Sequence, residues 1–155
     1  MKNQLTTLHS YGSHIVELKY VRPFINEMRT ISCAEDANSI LRDFINPYQI
    51  DLRECFWVIL LTNANRVLAI SEVATGTSRG VQTNPKYIFQ LALIANASAL
   101  IIAHNHPSGT LKTSTSDVQE TKKIKQIAAL MEITLLDHLI ITSEGFVSLN
   151  QENKM

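Results

Sequence analysis

His104-Asn105-His106 closes an apolar stretch, Ala99 to Ala103, whose composition reads as a buried strand. Along an extended backbone, residues i and i+2 point to the same side, so this spacing brings both imidazoles to bear on one ion. Further on, Ser114-Thr115-Ser116-Asp117 opens a helical segment and puts Asp117 in its first turn. The loop between, with Pro107 and Gly109, can fold that turn back over the strand end. Two neutral imidazoles and one carboxylate suit a divalent zinc ion and leave a fourth position for water. Water held in such an open site has its pKa lowered towards ~7, and a neighbouring carboxylate can then carry its proton. Each half of the pattern also has an ordinary explanation. Two histidines at a strand end arise by chance, and Ser114 with Asp117 makes a good helix start through capping and the helix dipole. Both halves on one strand–loop–helix segment point to a metal, and capping by Ser114 does not exclude ligation by Asp117.

Alternating apolar and polar side chains from Ile15 to Tyr20 predict a short strand. After Pro23, Ser32-Cys33-Ala34-Glu35 has the form of a capping box. Ala37, Ile40, Leu41, Phe44 and Ile45 follow at helical spacing until Pro47 ends the pattern. Cys55 to Leu61 is continuously apolar and rich in β-formers, a strand buried on both faces. Asn63-Ala64-Asn65 is a turn, and Arg66 to Val73 its hairpin partner. Gly76 to Thr83 reads as a loop. Asn84-Pro85 is a cap with a first-turn proline, opening a second helix to about Ala97. A third helix runs from Thr115 to Met131, and Thr134 to Ile141 and Phe146 to Leu149 are strands around Ser143-Glu144-Gly145. Strands alternate with helices, which predicts a mixed sheet with helices on its faces.

With 155 residues the chain is the size of one domain, and 45% hydrophobic with 18% charged residues is ordinary globular composition. No apolar run reaches the ~18–20 residues of a membrane span, and the N-terminus lacks the features of a secretory signal, so the expected location is the cytoplasm. Lys+Arg and Asp+Glu balance at 14 each, without the basic excess usual for phosphate-driven nucleic-acid binding. Lys122, Lys123 and Lys125 form a local basic cluster that reads as a solvated helix face. Cys33 and Cys55 have no second ligand at metal spacing and are expected to be free, buried thiols.

The spacing of His104, His106, Ser114 and Asp117 matches the JAMM signature H-x-H-x7-S-x-x-D. The string Ala103 to Gly109, together with Leu136-Asp137-His138-Leu139 and Phe146-Val147-Ser148-Leu149, resembles the RadC branch of that JAMM/MPN superfamily. The resemblance runs from about Ser32 to Leu149. It implies a cytidine-deaminase-like, three-layer α-β-α sandwich, with residues 1–31 an N-terminal extension, 32–150 the domain and 151–155 a tail. It also implies a zinc peptidase or isopeptidase, with Zn2+ on His104, His106 and Asp117 and Ser114 steadying the oxyanion. The general base of the family lies at the start of the first core strand, a place that Glu54 occupies, with Glu72 as runner-up. His138 stays outside the catalytic set, as a core histidine or a support to the site. Full-length RadC proteins carry an N-terminal helix-hairpin-helix region, whereas about thirty residues precede the first helix here. The chain thus resembles the catalytic-domain-only members, which weakens the expected tie to DNA. The expected partner is a peptide or protein substrate. DNA repair-associated binding or nuclease action is the second candidate, and a non-catalytic binding module the third.

Overall fold

The computed structural model describes residues 19–76 and 83–155. Strand β1 (Cys55–Leu61) is buried at every position. A strand tolerates apolar side chains on both faces only where both are covered, and β1 lies inside a five-stranded sheet of order β2-β1-β3-β4-β5. The other strands are β2 (Val67–Thr75), β3 (Ala99–Asn105), β4 (Thr134–Ile141) and β5 (Phe146–Ser148). β1 is antiparallel to both neighbours, β3 and β4 are parallel, and β5 returns antiparallel to β4. The parallel pair needs a crossover, and α3 (Thr115–Leu130) supplies it.

Alternation along β1 divides the core into two layers. Trp57, Ile59 and Leu61 pack with Ala37, Ile40 and Leu41 of α1 (Ala34–Phe44). Phe56, Val58 and Leu60 pack on the other face, with Ile88, Phe89 and Ala92 of α2 (Pro85–Ile94) and Ile124 and Ala128 of α3. Each such large apolar side chain, fully buried, stabilises the fold by about 1.5–3 kcal/mol before entropy is counted. The result is the three-layer α/β sandwich with a mixed sheet, α1 on one side and α2 with α3 on the other.

Several local expectations change. The box Ser32–Glu35 does not form. The N-cap is Cys33, without a side-chain cap, and Asp36 instead accepts the Ser32 N–H at 2.8 Å. The helix starts one residue later than the motif suggests, which moves the acidic side chain in reach from Glu35 to Asp36. Cys33 is accordingly exposed, while Cys55 is buried; both are free. α2 stops at Ile94 rather than near Ala97, because Asn96 takes a left-handed φ of 51° and Ala97 N–H turns back to the Ala92 carbonyl. Of the strand expected over Ile15 to Tyr20, residues 15–18 lie outside the described residues, and Lys19 and Tyr20 are not in a strand. Most of the Gly76 to Thr83 loop likewise lies outside them. No helix among the described residues is long and apolar enough to cross a membrane.

Candidate metal centre

β3 ends with His104-Asn105 at the edge of the α3 layer. Antiparallel register pairs Phe56 with His104, so both side chains stand on the α2/α3 face, and their rings stack with centroids 5.9 Å apart. His104 is 2% exposed. His106 lies two residues on, just past the strand, with its backbone N–H held by the Ile141 carbonyl at 2.9 Å. Its Nδ1 is 2.7 Å from the Thr110 carbonyl. A carbonyl only accepts, so Nδ1 carries the proton and Nε2 presents a lone pair.

Asp117 reaches the same point from α3. Ser114 is the N-cap: its Oγ accepts the Asp117 N–H at 3.1 Å, and Asp117 Oδ2 accepts the Ser114 N–H at 2.7 Å, a reciprocal capping box. The box uses an oxygen lone pair of Ser114, whose side chain also bears on the Asp117 carboxyl. It also fixes the Asp117 rotamer, with Oδ1 3.3 Å from His104 Nε2 and Oδ2 3.9 Å from His106 Nε2. Partial burial pushes the Asp117 carboxyl up. The adjoining His104 ring and the Ser114 side chain and backbone outweigh that and hold it well below the usual carboxylate range.

The two Nε2 atoms lie 3.0 Å apart. Four donors around a zinc ion at about 2.0–2.1 Å stand about 3.3 Å from one another. The separations here therefore fit one small divalent cation, and His104, His106 and Asp117 form a group able to hold a metal ion.

The two candidate bases fall on opposite faces. Glu54 directly precedes β1, two residues before Phe56, which pairs with His104. Strand alternation carried one residue beyond β1 gives it the parity of Phe56 and His104. Glu120, one helical turn beyond Asp117, feels that placement. Burial pushes its carboxyl up, Lys123 opposes, and the charges of Asp117 and Glu54 push further. Glu72 instead pairs with Trp57 and so looks toward the α1 layer. There it lines a cavity of about 190 Å³ with Phe44, Ile50, Cys55 and Asn105.

Sequence reasoning passed over Asn105 and Thr121 among the residues that hold these groups, and had His138 only as a core histidine or a support to the site. Asn105, 0% exposed, points away from its neighbouring histidines. Its Oδ1 accepts the Cys55 N–H at 2.7 Å, and its Nδ2 donates to the Ile50 and Arg53 carbonyls at 2.6 and 2.8 Å. It thereby pins the segment that carries Glu54 to the strand that carries the histidines. His138 of β4, also 0% exposed, sits behind His104 with its Nε2 2.8 Å from His104 Nδ1. Burial, then the neighbouring imidazole of His104, holds its pKa well below the usual histidine value. Thr121 Oγ1 lies 2.6 Å from His138 Nδ1 and 2.6 Å from the Asp117 carbonyl. The four-residue step from Asp117 to Thr121, one helical face, was the one local signal for this contact.

The UPF0758 protein of Flavobacterium johnsoniae is 36% identical over 128 residues, covering 83% of this chain and 55% of the relative. That of Actinobacillus succinogenes is 38% identical over 121 residues, 72% of this chain and 55% of the relative. That of Histophilus somni (strain 2336) is 42% identical over 100 residues, 64% and 45%. The chain thus spans about half the length of the curated relatives it matches. The RadC-like JAB domain matches residues 31–155, a stretch that holds every element from α1 to β5 and all of the histidine–aspartate cluster, and the chain belongs to that family.

Proposed function

We propose that this domain is a zinc-dependent hydrolase of amide bonds, peptide or isopeptide. The observation that carries the reading is the convergence of His104 Nε2, His106 Nε2 and Asp117 Oδ1/Oδ2, separated by 3.0, 3.3 and 3.9 Å, with Glu54 on the same face of the sheet. Zinc at these donors would supply Lewis acidity, polarising the scissile carbonyl and making water acidic enough to attack near neutral pH. Glu54 takes the proton of the attacking water and delivers it to the departing amine nitrogen, so that amide and water become carboxylate and amine. Ser114 turns its hydroxyl to donate a hydrogen bond to the carbonyl oxygen as negative charge gathers there. Asn105 holds the Glu54 segment in place during that exchange. Glu72 faces the other side of the sheet and takes no part.

The test is a panel of peptides and lysine-linked isopeptides offered to the zinc-loaded chain. The expected result is cleavage that a chelator stops, and that Glu54→Gln abolishes while still binding zinc. Salt-sensitive cleavage of oligonucleotides with peptides untouched would overturn the reading in favour of nucleic-acid chemistry. Zinc binding with no cleavage of either would leave a binding module.

A further inference from the structure

The mechanism leaves unused a buried polar line behind the cluster, from the Asp117 carbonyl through Thr121 and His138 to His104. Its proton positions follow by counting. The Asp117 carbonyl can only accept, so the single hydroxyl proton of Thr121 goes to it across 2.6 Å. The Thr121 oxygen is then left to accept, and at 2.6 Å its partner His138 Nδ1 must carry the proton. A neutral imidazole has one N–H, so His138 Nε2 accepts, and across 2.8 Å the proton belongs to His104 Nδ1. His104 Nε2 therefore bears the lone pair, facing His106 Nε2 at 3.0 Å.

We infer that His138 and Thr121 are positioning residues that lock His104 in its Nδ1–H tautomer, so that the metal-facing nitrogen is always the one without a proton. The inference rests on the reading of His104 as a metal ligand. The line also closes a circuit: it begins at the backbone of Asp117, which lies in α3, and ends on His104, which lies in β3, so that one ligand's element sets the proton of the other. His106 obtains the same tautomer more simply, from the Thr110 carbonyl at 2.7 Å. Behind His104, Nδ1 meets His138 Nε2 instead of a carbonyl among the described residues, and a chain of two side chains stands in its place. All of its members are enclosed: Thr121 and His138 are each 0% exposed, and the Phe56 ring lies 5.6 Å from that of His138. Water therefore cannot substitute for a lost link.

Thr121→Val and Thr121→Ser separate this role from packing. Valine keeps the shape and deletes the acceptor, so His138 is driven to the Nε2–H form and pushes His104 to Nε2–H, aimed into the site. Serine keeps the hydroxyl. Two readouts are needed on the full chain: the ring ¹⁵N shifts of His104 without metal, and zinc affinity by competition with a chromophoric chelator. Expected are an Nδ1–H His104 in wild type and Thr121→Ser, and an Nε2–H His104 in Thr121→Val. Zinc affinity should be kept in Thr121→Ser and weakened about 10–100-fold in Thr121→Val. Unchanged ¹⁵N shifts in Thr121→Val, or zinc bound as tightly as by wild type, overturns the inference. Failure of the wild type itself to take zinc overturns the metal reading instead, and shows in the same titration before any variant is compared.

Discussion

Replacing Asn105 by alanine should be among the most damaging single changes outside the metal cluster, although the residue touches no ligand. Its side chain satisfies the Cys55 N–H and the Ile50 and Arg53 carbonyls at 2.6–2.8 Å from a fully buried position. Cys55 and Ile50 are themselves buried, so in the variant two backbone groups lose their partners where water does not reach, at about 1–3 kcal/mol each. The Arg53 carbonyl lies near solvent and loses only the net worth of a bond, about 0.5–1.5 kcal/mol. The sum is about 5 kcal/mol, a large part of the ~5–15 kcal/mol that holds a domain together. It corresponds to a fall in Tm of about 10–20 °C for a chain of this size. Urea and thermal unfolding of Asn105→Ala beside wild type measure it. Asn105→Asp sharpens the test, because it keeps the acceptor for Cys55 N–H but turns a carboxylate oxygen toward two carbonyls. At neutral pH it should lose at least as much stability, and regain part of it when acid protonates the introduced carboxyl. A loss below about 1 kcal/mol in Asn105→Ala would refute the reasoning, since it would mean that the two buried backbone groups had found other partners.

Three further outcomes follow from the same contacts. Ser114→Ala should cost about 1 kcal/mol of stability through the lost cap, retain zinc, and lower hydrolysis about 100-fold or more through the missing oxyanion donor; equal turnover with a weakened fold would leave Ser114 a cap only. Phe56→Ala, which removes the ring stacked on His104, should cost about 3–5 kcal/mol in chemical denaturation. Glu120 ionises above its unfolded value because of burial, so the folded state is penalised as pH rises through and beyond about 4.3. Glu120→Gln should therefore be stabilised relative to wild type by an amount that grows from pH 4 to pH 7, and a difference that stays flat with pH would contradict it.

The parts of this molecule that sequence exposed are those with local causes. Cys55 to Leu61 could only be a doubly covered strand, and Asn84-Pro85 and Ser114 mark helix starts where the side chains do cap. His104, His106 and Asp117 came together because strand periodicity and a first-turn carboxylate are short-range rules. The Ser32–Glu35 box failed for an equally local reason, a one-residue shift of the cap to Cys33 that hands the acidic role to Asp36. The early end of α2 is a backbone event at Asn96 that its type allows but does not demand. Glu54 and Glu72 look alike in sequence, and strand register separates them, because Glu72 is paired with Trp57 and Glu54 shares the parity of Phe56. Asn105 and His138 were the least legible. Their partners are the backbone of residues 50–55 and the hydroxyl of Thr121, contacts made across the fold that no spacing encodes.

Metal content decides whether His104, His106 and Asp117 hold one divalent metal ion. The full chain, reconstituted with zinc and exhaustively dialysed, is analysed for elements beside His106→Ala and Asp117→Ala. About one zinc per chain is expected in the wild type, and its loss in both variants, with the fold retained. A wild type that keeps little zinc, or variants that keep as much, would contradict it and return Ser114 and Asp117 to the capping of α3.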